Sequence, residues 1–205
     1  MEGFTLTIGN IQGQQINVGP NIVATQTNNY GKDKNFLSDE ILHIIGEKTF
    51  GVDDALALKN ARAKTVVVHA EIEPYYSALE TELLRQREDN KVLKYWHISA
   101  HGNRKDGILF GKKWTNWDTL YNLLSPFDQL EVLFLSACES IDLADKINGV
   151  FKYILATTIE IPNSDAIKIT EIFWKNILNG QTPEESFESV KVNSPSFSPN
   201  MRLRS

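Results

Sequence analysis

The sequence predicts an α/β fold: three layers, a mostly parallel sheet between helices, and a small β-rich leader ahead of them. Two apolar runs, Tyr95-Trp96-His97-Ile98-Ser99-Ala100 and Leu130-Glu131-Val132-Leu133-Phe134-Leu135-Ser136-Ala137, carry most of this expectation. Each is short, bounded by Gly or polar residues, and rich in aliphatic and aromatic side chains, as strands buried on both faces are. A third aliphatic run, Thr65 to His69, is joined to the first by a segment with helical spacing. Strand, helix, strand is the order that builds a parallel sheet. With 205 residues and 41% hydrophobic content, the chain can bury one substantial core.

The elements follow in order. Residues 1–31 carry one charged side chain, Glu2, and interleave Asn, Gln, Gly and Thr with Ile8, Ile11, Ile16, Val18, Ile22 and Val23. The alternation Gln15-Ile16-Asn17-Val18, punctuated by Gly13 and Gly19-Pro20, reads as short strands with turns. With the linker to residue 35 this is a leader: either a module for recruitment or self-association, or a loose arm. The main domain is expected over 36–192. Ser38 would cap a short helix with Ile41, Leu42 and Ile45 on one face and Gly46 as its stop. A helix from Val52 to Ala63 leads into the Thr65–His69 strand, with His43 and His69 as packed residues. Pro74 opens the next helix, where Ser77-Ala78-Leu79-Glu80 has the form of a capping box above the stripe Leu79, Leu83, Leu84. Asn103 to Gly107 is a polar turn and Ile108-Leu109-Phe110 a short strand. Thr115 to Leu124 is the crossover helix that Pro126 ends. After the strand Lys152–Thr157, Asn163 or Ser164 caps a helix burying Ala166, Ile169, Phe173 and Ile177, and Gly180 stops it. Thr182-Pro183-Glu184-Glu185 caps a last helix packing Phe187 and Val190. Residues 193–205 have the composition of a flexible tail.

In an open α/β sheet, ligands bind beyond the carboxyl ends of the strands. Two of the runs end there in reactive residues, His101-Gly102 and Cys138. The thiolate is the nucleophilic form of cysteine, and a neighbouring imidazole can lower the thiol pKa, hold the ion pair, and return a proton to a leaving amine. The backbone N–H groups of Gly102 and of Cys138 itself are candidate oxyanion donors. The plainer alternative makes Cys138 a small buried hydrophobe. His97 and His101 have the i, i+4 spacing of a helical metal motif, but the segment reads as strand and the motif's Glu is absent, so no metal is expected and His97 reads as packed.

These residues resemble a known family. His101-Gly102 after an apolar strand, then Leu135-Ser136-Ala137-Cys138-Glu139-Ser140, is similar to the His-Gly and Ser-Ala-Cys signatures of caspase-like cysteine peptidases (clan CD), in particular the bacterial CHAT-type branch. The similarity continues through Asp106-Gly107-Ile108-Leu109, Tyr153–Thr157, Glu160-Ile161-Pro162 and the helix ending at Gly180, over roughly residues 65–192. Ser140 stands where family members often carry Gly. The resemblance implies a caspase-like three-layer sandwich and an endopeptidase that forms a thioester acyl-enzyme on Cys138, with His101 as acid and base. It implies a protein or peptide substrate and no cofactor. The rival is a catalytically degenerate member, a scaffold that binds a partner through residues 1–31.

The formal net charge of -5, without a long basic run, argues against nucleic acid or an anionic membrane as a partner. No apolar stretch approaches the ~18 residues of a membrane span, and the start lacks a signal-peptide pattern. A single cysteine permits no internal disulfide and fits a reducing cytoplasm. Glu139, Asp106, Glu160 and Asp165 all fall near the strand ends, so the substrate crevice is expected to be acidic and to favour Arg or Lys on the amino side of the scissile bond. Taken singly, each of these acids reads as a solvated loop residue.

Overall fold

Strand β1 (Glu40–Ile45) opens the ordered architecture in a computed structural model that describes residues 40–75, 77–89, 92–127, 130–147, 149–196 and 200–205. The chain divides into units 1–31 and 32–205. The leader, and the recruitment role read for it, lies outside the described residues. Five of the six residues of β1 are buried. The expected helix at Ile41–Ile45 is therefore replaced by a strand: a six-residue segment apolar on both faces fits a sheet interior, and tertiary pairing overrides a cap signal at Ser38.

Helix α1 (Lys48–Asn60) follows, capped by the Glu47 side chain, which accepts the N–H of Phe50 at 3.1 Å. It begins four residues earlier than the spacing predicts. Strand β2 (Lys64–His69) and helix α2 (Ser77–Glu88) come next. The Ser77 hydroxyl donates to the Pro74 carbonyl at 2.8 Å rather than serving as a cap acceptor. Strand β3 (Tyr95–Ser99) leads to a small antiparallel sheet, β4 (Gly102–Asn103), β5 (Gly107–Phe110) and β6 (Lys113–Thr115). Asn116 caps α3 (Trp117–Leu124) through a 2.8 Å bond from Thr119 N–H. Then come β7 (Leu130–Ser136), α4 (Ile141–Lys146), β8 (Phe151–Thr157), α5 (Asn163–Leu178) and α6 (Pro183–Asn193), the last opened by a complete Thr182/Glu185 capping box. The chain ends in β9 (Met201–Arg204), antiparallel to β8, where a flexible tail is expected from composition. Met201 is buried and Arg204 Nε donates to Asp145 Oδ1 at 2.8 Å, so apolar burial and an ion pair hold a segment whose Ser/Pro content alone suggests none.

The main sheet runs β2-β1-β3-β7-β8-β9 and is parallel except for β9. Alternation along the strands divides the core. Trp96, Ile98, Leu133 and Leu135 pack with Leu79, Leu83, Leu120, Leu124 and Leu143 from α2, α3 and α4. Ile41, Val132, Phe134 and Leu155 pack with Leu58, Ile169, Phe173, Trp174, Phe187 and Val190 from α1, α5 and α6. The result is the three-layer sandwich the sequence predicts. Each fully buried side chain contributes about 1.5–3 kcal/mol, so the two layers rigidly support the strand ends.

Candidate active site

The register of β3 against β7 brings the His101 and Cys138 segments together. Ser99 pairs with Ser136, and the Ala100 N–H extends the ladder to Ser136 O at 3.2 Å. His101 and Cys138 each lie two residues further, past the carboxyl ends of adjacent parallel strands. The Gly102 backbone then lies against the Cys138 peptide: a Cβ at Gly102 would sit 2.4 Å from the Cys138 carbonyl oxygen and 3.3 Å from its nitrogen. Glycine is required there by close approach. Gly102→Ala should push the His101 strand end off the cysteine turn and remove whatever His101 adds to the alkylation rate of Cys138, since a displacement of about 1 Å is enough to uncouple two such groups. Alkylation at the wild-type rate in a folded variant would show that the contact carries no function.

Cys138 sits at a sharp turn, half-buried. Glu139, next in sequence, adopts φ +50, left-handed backbone that costs roughly 1 kcal/mol for a residue with a side chain. Its Oε2 accepts the Arg104 N–H at 3.1 Å, tying the cysteine turn to the loop after His101. Ser140 is fully buried and its Oγ accepts the Thr157 N–H at 3.2 Å, while Thr157 Oγ1 donates to the Ala137 carbonyl at 3.0 Å. The turn is thus pinned to β8 by a hydroxyl that a glycine at 140 could not supply. Burial pushes the Cys138 thiol up; the Ile161 N–H pulls it down, but the Glu160 and Glu139 carboxylates add to the rise and the Cys138 N–H only partly offsets them. The thiol is therefore held protonated more firmly than a free cysteine.

His101 is exposed, and its ring stands edge-on to Phe50, with centroids 4.5 Å apart and planes at 87°. Among the described residues no hydrogen bond joins it to Cys138. Such contacts commonly form only when substrate binds. A narrow cleft of ≈ 30 Å³, partly open to solvent, lies beside Cys138, walled by Phe50, Thr157, Ile161, Ala166, Ile169 and Met201 among others. None of the four acids predicted to bind substrate lines it. Asp106 is exposed and bonded twice to Asn103 in the turn, Glu160 is exposed, and Asp165 lies in the first turn of α5.

Behind the strand ends is a buried polar cluster that sequence reasoning missed. Asp54, on α1, is 2% exposed. Its carboxylate accepts from His97 Nε2 (3.0 Å), Ser99 Oγ (2.7 Å), Thr170 Oγ1 (3.2 Å) and the Ser136 side chain. Trp174 Nε1–H donates to His97 Nδ1 at 3.1 Å, which assigns the hydrogen to the Nε2 that faces Asp54. The Ser99 hydrogen is used on Asp54, so His43 Nε2–H donates to Ser99 Oγ at 2.8 Å. Burial alone would raise Asp54, but the interaction with His97 and the bonds from His97, Ser99 and Ser136 outweigh it and hold the carboxyl below its ordinary range. Burial, with His97 nearby, holds His43 down at about 3. His69, in contrast, is exposed and pairs with Glu71 at 2.9 Å rather than packing in the core. One sequence signal for Asp54 existed: Gly51, Asp54, Ala57 and Leu58 share the buried face of α1.

Among the described residues, no helix is long and apolar enough to cross a membrane. No group of three or more His, Cys, Asp or Glu side chains is arranged to hold a metal ion among them either. No family model and no curated protein matches the chain. Among solved structures it is similar to a secreted C11 cysteine protease from Bacteroides thetaiotaomicron, determined with an irreversible peptide inhibitor. The TM-score is 0.55 at 11% identity, and the match covers 77% of this chain and 59% of that one. At this identity the likeness shows the fold, which is caspase-like, and this chain spans little more than half of the protease chain's length.

Proposed function

We propose that this chain is a cysteine endopeptidase of the caspase-like class, CHAT-type by its motifs, that cleaves a partner protein through a Cys138 thioester. The observation that carries it is the interlock of Gly102 with the Cys138 peptide, which sets a histidine and a cysteine past the ends of paired strands in a caspase-like sheet. His101 swings from Phe50 to take the thiol proton, Sγ attacks the carbonyl carbon, and the N–H groups of Gly102 and Cys138 receive the oxyanion. His101 then protonates the leaving amine, and water attacks the thioester to release the acid and the free thiol. The bound peptide inhibitor of the solved protease supports a peptide substrate. The charge-poor leader and the single thiol support a partner-recruiting role in a bacterial stress or defence pathway in the cytoplasm.

A second reading has its own support. The raised thiol and the imidazole resting on Phe50 suit a degenerate scaffold that binds without cutting. Alkylation separates the two. In a peptidase, iodoacetamide labels Cys138 about tenfold or more faster in wild type than in His101→Ala at neutral pH, because imidazole assists thiol ionisation. Equal rates in the two proteins would favour the scaffold.

A further inference from the structure

We propose that the cleft beside Cys138 is the primary specificity pocket and, by its uncharged lining and its open side, widens to admit an uncharged aliphatic or thioether side chain in place of the Arg or Lys that the nearby acids suggest. This rests on the peptidase reading. Every residue lining the cavity is uncharged. Its two wall hydroxyls already spend their hydrogens, Thr157 Oγ1 on the Ala137 carbonyl and Ser136 on Asp54, so the wall offers an anionic side chain no free hydroxyl donor and a cationic one no opposite charge. A charge entering such a space is desolvated without compensation.

The acids do not change this. Asp54 is the carboxylate behind Ser136, but it is 2% exposed and donors from His97, Ser99, Thr170 and Ser136 already fill its acceptor positions. It can meet no guanidinium or ammonium directly, and its charge repels an acidic side chain. Glu139 is occupied by the Arg104 N–H and Asp106 by the Asn103 turn, both outside the wall. Apolar atoms are what the cavity presents: Ile169 and Met201 are almost fully buried, and Ala100 and Ala166 are small enough to leave the space between them. Phe50 belongs to this wall and also carries His101 edge-on, so a side chain filling the cavity packs against the residue that orients the imidazole.

The test uses the full chain and peptidyl acyloxymethyl ketones that differ only in the residue next to the warhead: Leu, Met, Ala, Lys or Asp. In each, Cys138 Sγ bonds the methylene carbon as the carboxylate leaves, and mass spectrometry reads the labelled site. Leu and Met probes should label at least about tenfold faster than Lys, Asp or Ala, since burying one aliphatic side chain is worth roughly 10- to 100-fold. Ala166→Leu, which fills the cavity, should invert the Leu-to-Ala order, whereas Glu160→Gln, acting on the thiol, should change all probes alike. Fastest labelling by Lys or Asp, or an unchanged Leu-to-Ala ratio in folded Ala166→Leu, overturns the pocket assignment. Failure of every probe, together with iodoacetamide rates indifferent to His101→Ala, removes the peptidase reading and the pocket with it.

Discussion

Cys138→Ala and His101→Ala should each lower peptide cleavage by at least about 10³-fold, and the double variant should be no worse than either, because nucleophile and base act as one unit. Neither change should cost much stability. Cys138 lies at a half-buried turn and His101 is exposed, so truncation opens no cavity in either core layer. The measurements are cleavage of a protein substrate pool and thermal unfolding of the same preparations. Because the thiol sits above its ordinary range, residual alkylation of Cys138 in His101→Ala should climb with pH beyond neutrality. A folded Cys138→Ala protein that still cleaves would sink the assignment. Losses that multiply in the double variant would show that His101 acts elsewhere than on Cys138.

The strands that carry these two residues were legible in the sequence for a physical reason. Tyr95–Ser99 and Leu130–Ser136 are largely buried on both faces, so apolar side chains dominate them and only His97, Ser99, Glu131 and Ser136 interrupt the runs, and their ends are marked by Gly102 and by the turn at Cys138. Strand β1 was equally apolar, yet a preceding serine and a following glycine imitate helix punctuation, and only pairing with β2 and β3 decides the matter. β9 was hidden because a short edge strand takes its stability from the strand it joins. The acids differ from the strands in a further respect. Glu139, Asp106, Glu160 and Asp165 do cluster in sequence around the strand ends, but local partners and exposure keep them out of the cavity wall. The carboxylate that reaches under the site, Asp54, comes from a helix remote in sequence, where nothing but its phase on the buried face distinguishes it from Asp53.

Asp54→Ala should destabilise the fold by about 3 kcal/mol or more at neutral pH, since it strands buried donors from β3, β7 and α5 at once. Asp54→Asn, which keeps the shape and part of the acceptor capacity, should cost less. The pH dependence identifies the cause. The Asp54 carboxyl is held below its ordinary range, so the stability it contributes is present above the unfolded-state pKa of about 3.9 and is lost as the pH falls through the folded-state value. His43, held at about 3, stays neutral in the fold while an unfolded histidine takes up a proton below ~6.5. Wild type should therefore weaken as the pH drops from ~6.5 toward 3, by up to about 1.4 kcal/mol per pH unit, and the Asp54 contribution should go only at the acidic end. In Asp54→Ala the limb that begins near neutrality should persist and the most acidic one vanish, so the two stability curves converge at low pH. Denaturant unfolding from pH 2 to 7 reads this, with the curves converging only below about 3.9. A variant within 1 kcal/mol of wild type at pH 7, or a gap between the curves that stays constant with pH, would mean that the cluster is held by packing around Asp54 and not by its charge.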